Sequence, residues 1–205
     1  MPSTAKAPRR CSWAGEDPLY IAYHDNEWGF PVADDKRLFE KICLEGFQAG
    51  LSWITILRKR EAFREAFAGF AFERVAKMGA RDVTRLLTNP GIVRHRGKIE
   101  STINNAKRAL ELAEEQGSLA KYFWAFEPAL ASRPKKLTRD ALATMATSPE
   151  SIALAKDLKR RGWTFVGPTT VYAFMQAMGL VNDHLHDCDT RKSVHEARAR
   201  FVLPR

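Results

Sequence analysis

Three observations predict an all-α protein. Apolar residues recur at helical spacing almost everywhere along the 205 residues, helix start and stop signals punctuate that pattern, and no repeat or low-complexity segment interrupts it. A chain of this length with 45% hydrophobic and 28% charged residues can bury one sizeable core, so a single domain, two-lobed at most, is expected.

Met1 to Arg10 carries no apolar run and is expected to be a disordered extension. Asp34 is placed to cap a helix with Leu38, Phe39, Ile42 and Cys43 on one side. A short connection, Glu45 to Leu51, follows, and Ser52 opens a helix through Ile56, Leu57, Phe63 and Phe67. Arg81 to Thr88 reads as a short helix and Asn89 to Val93 as a tight turn. His95 then begins a long helix with Ile99, Ile103, Ala106, Leu110 and Ala113 on one face, stopping near Gly117. Glu127 to Thr147, holding Pro128 and Pro134, reads as an excursion between packed elements. Ser148-Pro149-Glu150 is an N-cap with proline at the first helical position, and Gly162 closes that helix after Ile152, Ala155 and Leu158. A last core helix runs from about Gly167-Pro168 to Gly179, and residues 196–205 read as a basic tail.

Thirty-three Lys and Arg against 24 Asp and Glu give a net charge of +9, which suits a polyanionic partner, nucleic acid first. A basic solvated surface is the alternative. Three cysteines cannot build a disulfide framework, and Cys43 sits in an apolar run, so reduced thiols and a cytoplasmic location are expected. No stretch approaches the length needed to cross a bilayer, so no membrane association is expected, and the basic N-terminus lacks an apolar core like that of a signal peptide.

Cys11 with His24, and His184 with Cys188, form two half-sites whose residue types complete a Cys2His2 set for one zinc ion. His184 and Cys188 are four apart and can reach one ion from a single turn. Four protein ligands leave no open position, so the metal would be structural. The two pairs are too far apart for a zinc-finger signature, and on spacing alone unrelated buried cysteines and surface histidines remain an alternative.

The short helix, glycine-bearing turn and long helix around Gly91 and Ile92 make a helix-hairpin-helix pattern. Such a turn lets main-chain N–H groups approach a phosphate at a helix N-terminus. Arg94, Arg96 and Lys98 crowd that end with positive charge, where the helix dipole itself prefers acids. An external anion gives them a reason; an ordinary corner with solvated arginines is the alternative.

Trp13, Tyr20, Tyr23 and Trp28 gather near the first half-site, and Trp53 follows Glu45, a lone acid among neutral residues from Leu44 to Leu57. A carboxylate bordered by aromatic faces can receive a flat, positively charged ring such as an alkylated purine. A helix C-terminal surface residue, or a partner for Lys41, is an equal reading of Glu45.

Cys11-Ser12-Trp13, the run Asp17 to Gly29, Cys43-Leu44-Glu45-Gly46, Gln48 to Ile54, Gly91-Ile92 with Arg94 to Ile99, and Val181 to His184 together resemble the type I DNA-3-methyladenine glycosylases. The match runs in order from Cys11 to about Cys188. The resemblance implies an all-α helix-hairpin-helix glycosylase fold over residues 11–195, with a hairpin lobe at about 45–150 and a zinc-stapled lobe from the two chain ends. It implies a monofunctional, monomeric repair enzyme that removes 3-methyladenine from double-stranded alkylated DNA. Carried over by position, it assigns one structural zinc to Cys11, His24, His184 and Cys188, base recognition to Glu45, and the pocket to Tyr23 and Trp53, with Trp13 and Tyr20 nearby. Leu51, with Gly50, matches the position that enters the gap left by an extruded nucleotide. The chain has no Asp between Asp82 and Asp140, where many relatives in the superfamily carry a catalytic aspartate; the type I family also lacks it. Two competing expectations are a bifunctional glycosylase using Lys98 as a Schiff base and a damage sensor that binds without cleaving.

Overall fold

The computed structural model describes residues 7–134 and 136–204, and these are helical with no strand among them. Twelve α-helices follow in chain order: α1 Pro18–Asn26, α2 Asp35–Gln48, α3 Trp53–Arg58, α4 Arg60–Ala66, α5 Phe72–Val75, α6 Ala80–Leu87, α7 Arg96–Gln116, α8 Leu119–Trp124, α9 Arg139–Ala143, α10 Pro149–Arg160, α11 Pro168–Ala177 and α12 Thr190–Arg200.

The cap signals fall where the sequence places them. Asp34 accepts from the Arg37 amide at the start of α2, Ser148 from Ser151 at the start of α10, and Gly117 ends α7 in the left-handed region. Two boundaries differ. Helix α2 runs on through Gln48, so Glu45 sits in its last turns and not in a connection. The helix expected from Ser52 to Phe67 divides at Lys59 into α3 and α4, where the Lys59 amide bonds to the Ile56 carbonyl three residues back at 3.0 Å while the apolar spacing continues across it.

Helix α2 is the centre of the molecule, buried without interruption from Leu38 to Phe47. It is wrapped by α3, α7, α8 and α11, and aromatic rings fill the space beside it, with Phe47 and Phe63 centroids 4.5 Å apart. A helix covered on every face cannot leave its charges in water, so Glu40 is paired with Arg64 at 2.8 Å and Lys41 with Glu45 at 2.7 Å. Ile152, expected on the packed face of α10, is half exposed; Leu154, Ala155 and Leu158 form that face instead.

Both ends of the described chain are tied to the body. The extension, expected to be disordered through Arg10, is pinned where it is described: the Arg9 amide donates to Asp189 at 2.9 Å and Arg10 grips Asp25 at 2.8 Å. Met1 to Lys6, like Lys135 and Arg205, lie outside the described residues. The basic tail begins as the second half of α12, where Arg198 pairs with Glu127 and Phe201 packs on Trp124 with ring centroids 4.6 Å apart.

Candidate active site

A cleft of about 200 Å³ opens between α1, α2, α3 and α11. Tyr20 and Tyr23 project into it three residues apart on one face of α1. Trp13, from the 3-10 turn Ser12–Ala14, meets Trp28 edge-on at 4.9 Å and Tyr20 at 5.1 Å. Trp53, at the first position of α3, lies 5.3 Å from Tyr23. The sequence's aromatic group is therefore a wall, and Glu45 is the carboxylate within it.

Glu45 is buried, and its Oε1 stands 2.7 Å from the Lys41 ammonium one helical turn earlier. Lys41 donates to the Tyr23 hydroxyl at 2.8 Å and lies 3.1 Å from the centroid of Trp53. The three N–H bonds of the ammonium thus meet a carboxylate, a phenol and an indole face. Burial lowers the Lys41 pKa to about 8, against the pull of Glu45. Burial, and then Glu45, raises the Tyr23 hydroxyl well above its ordinary value, so it stays a phenol. Glu45 is the partner of Lys41 and lines the cleft; buried at 6% exposure, it is not a surface residue of the helix end. The Trp53 indole N–H is buried without a partner among the described residues.

The α6–α7 corner has the expected shape but uses its residues differently. Gly91 is required because a Cβ there would come within 2.8 Å of Ala62, and its amide is occupied by the Asn89 side chain at 2.8 Å. Ile92 is buried in the core. Arg94 and Arg96 stand in solvent, Arg96 3.3 Å from Glu100. Lys98 does not: it is 7% exposed, and its ammonium donates to the carbonyls of Phe47 at 2.8 Å and Ala49 at 2.6 Å. The expectation that it meets phosphate is corrected, because the last carbonyls of α2 lack helical partners and Lys98 satisfies them. Gly50, with φ +79°, and half-exposed Leu51 stand at the tip of the loop so held. Lys59, at the α3–α4 break, donates to the Pro90 carbonyl at 2.9 Å and so ties the corner to the helix that begins with Trp53.

Cys11, His24, His184 and Cys188 converge, all buried, with their donor atoms within 4.8 Å of one another. Cys188 Sγ lies 3.6 Å from His24 Nε2 and 3.5 Å from His184 Nδ1, and Cys11 Sγ lies 3.7 Å from His184 Nδ1. A zinc tetrahedron of ordinary bond lengths has S···N edges of about 3.5 Å, so the donor set fits that ion. The opposite ring nitrogens are fixed: His24 Nδ1 is 2.7 Å from Asp25, itself held by Arg10, and His184 Nε2 is 2.9 Å from the Trp28 carbonyl. A hydrogen bond from Cys11, and then the two histidines, hold the Cys188 thiol far below its ordinary range. Gly29, at φ +86°, lets the His184 ring approach; a Cβ there would come within 3.2 Å of it.

The family model for methyladenine glycosylases matches residues 13–192. The chain belongs to that family. It is 49% identical over 187 residues to the DNA-3-methyladenine glycosylase of Haemophilus influenzae, spanning 90% of this chain and 98% of that protein. It is 51% identical over 180 residues to DNA-3-methyladenine glycosylase 1 of Escherichia coli K12, spanning 87% and 95%. A crystal structure of 3-methyladenine DNA glycosylase I superposes with a TM-score of 0.82 at 51% identity, covering 88% of this chain and 98% of that one. The Staphylococcus aureus enzyme, whose structure concerns 3-methyladenine recognition, gives 0.81 at 42% identity, covering 89% and 96%.

For this methyladenine glycosylase, four cleft residues escaped the sequence reading. Gln48 lies in a matched segment and could have been singled out there. Ala173 and Gln176 belong to α11, read only as core, and Leu142 comes from α9 within the segment read as an excursion between packed elements. Lys41 was weighed only as a partner for Glu45.

Proposed function

We propose that this protein hydrolyses the N-glycosidic bond of 3-methyladenine in alkylated double-stranded DNA, releasing the free base and leaving an abasic site. It is a monofunctional glycosylase of base excision repair. The observation that carries this reading is Glu45 inside an aromatic cleft, in a chain of the methyladenine glycosylase family.

The nucleotide must first leave the helix, at a cost of a few kcal/mol that damaged pairs reduce. Arg94 and Arg96 hold the DNA backbone, Gly91 and Ile92 shape the turn that presents them, and Leu51, beyond Gly50, fills the gap. In the cleft the base stacks against Tyr23 and Trp53, with Trp13 and Tyr20 closing the wall. Glu45 accepts a hydrogen bond from the base. The second carboxylate oxygen has no protein partner among the described residues, which supports that role. N3-methylated adenine in DNA is cationic and leaves readily, so the site needs little acid catalysis. The C1′–N9 bond breaks with its electron pair going to the base, and water adds to the sugar.

Lys98 does not favour the Schiff-base alternative. Its nitrogen is held by two backbone carbonyls and is not part of the cleft. Cys11, His24, His184 and Cys188 hold one zinc ion per chain, which supplies a structural tie between the two ends of the chain. Four protein donors leave it no part in activating water. The cleft and the donor set are complete within one chain, as action by a monomer requires, and cysteines with no disulfide between them suit the cytoplasm.

The test is chromatography of bases released from methylated duplex DNA by purified protein. Release of 3-methyladenine, lost in Glu45→Gln, is expected; binding to methylated DNA without release of any base would make the protein a sensor instead.

A further inference from the structure

Lys41 is a cation built into the far side of the wall that receives the base. Trp53 and Tyr23 line the base cleft, and they also line the smaller cavity on whose side Lys41 lies. The base stacks on the open side of these rings while the ammonium sits 3.1 Å from the Trp53 centroid and 2.7 Å from Glu45. The contacts that attract a cationic purine, a carboxylate and an indole face, are therefore already engaged by an internal cation.

Charge moves during the reaction. Before cleavage the positive charge is on the methylated ring; as the C1′–N9 bond breaks, the electron pair stays with the base, which becomes neutral, and the sugar takes the charge. An uncompensated carboxylate beside the base would hold the cationic ground state more tightly than the transition state and slow its departure. A carboxylate neutralised from behind keeps its hydrogen-bond geometry without that penalty.

Resting on the glycosylase reading above, we propose that Lys41 is a positioning residue that offsets the charge of Glu45.

The experiment compares two ligands and one rate. Quenching of tryptophan fluorescence reads the affinity for 3,9-dimethyladeninium, an uncleavable cation that mimics the substrate base, and for neutral 3-methyladenine, the product. Single-turnover release from DNA containing 3-methyladenine reads the chemical step. Lys41→Met should tighten binding of the cation relative to the neutral base by about tenfold or more, and should lower both KM and the single-turnover rate. Lys41→Gln, which keeps a donor for Tyr23 and Glu45 but not the charge, should do the same. A merely structural role would weaken both ligands together and leave their ratio unchanged, and that result overturns the proposal.

The wild-type protein supplies a second reading that needs no variant. The charged and titratable groups around Lys41 are Tyr20 and Tyr23 of α1, Glu27 just beyond it, Arg37, Glu40 and Glu45 of its own helix, and Arg60 and Arg64 of α4. With Lys41 drawn down to about 8 by burial, preference for the cation should rise between pH 7 and pH 9 in the wild type and stay flat in Lys41→Gln. A wild-type preference for the cation that falls over this range would also overturn the proposal. Failure of the wild-type protein to release 3-methyladenine at all would instead sink the glycosylase reading.

Discussion

The Lys98 ammonium lies 2.6 Å from the carbonyl oxygen of Ala49, so the helix that leaves the α6–α7 corner holds the loop that carries Leu51. The same nitrogen holds the Phe47 carbonyl two residues beyond Glu45. Lys98→Met should leave both carbonyls unpaired and cost about 2–4 kcal/mol in chemical denaturation. It should also lower base release, while the salt dependence of DNA binding stays that of the wild type. A flattened salt slope would return Lys98 to the phosphate contacts.

Arg94 and Arg96 are the exposed cations at that corner. Replacing either with alanine should weaken binding to methylated and unmethylated duplexes alike and reduce the salt slope by about one. Filter binding across a salt series measures this, and an unchanged slope removes the residue from the DNA footprint.

Glu45→Gln leaves Lys41 buried without its carboxylate. It should lower 3-methyladenine release by about a hundredfold or more and destabilise the fold by a few kcal/mol, with nonspecific DNA binding retained. Adding Lys41→Met should restore the stability without the activity. Such a cycle separates the pair's structural role from the recognition of the base; recovery of both together would mean that Glu45 acts only through folding.

Burial draws Lys41 below its ordinary 10.5, so between about pH 8 and 10.5 the unfolded chain binds the proton and the folded chain does not. Stability from this residue therefore rises with pH across that window. Lys41→Met leaves the Glu45 carboxylate buried without its cation, so it should be about 3–5 kcal/mol less stable than the wild type at pH 7, with the deficit growing toward pH 10.5 as the wild type gains. Urea titrations at pH 7 and pH 9.5 check the sign; a deficit that shrinks with pH contradicts the lowered value.

The purified protein should carry one zinc ion by mass spectrometry under non-denaturing conditions. Stripping the metal with a chelator should lower the melting temperature by more than about 10 °C and change the fluorescence of Trp13 and Trp28, which pack against His24 and His184. The same loss is expected in Cys188→Ala. A variant that keeps its fold while losing turnover would point to a metal with a chemical role.

The sequence shows most of the scaffold because helix ends are marked by local chemistry: Asp34, Ser148-Pro149 and Gly117 act within a turn of themselves. The Cys/His cluster and the aromatic cluster are also legible, since their residue types are unusual wherever they occur. What escapes is set by distant packing. A lysine four residues before a glutamate ordinarily marks a solvated helix face, and only the burial of α2 on every side makes Lys41 an internal cation. Lys98 stands in a basic run that looks solvent-facing, and its partners are 49 and 51 residues away. The break at Lys59 leaves the apolar spacing intact, and Leu142 reaches the cleft from a helix of only five residues.

Cys11 and His184 meet across 173 residues of chain. The cleft wall includes Trp13, two residues after Cys11, so a contact with the far end of the matched region lies next to one ring of that wall, and a disturbance at His184 or Cys188 reaches the cleft through two residues of backbone.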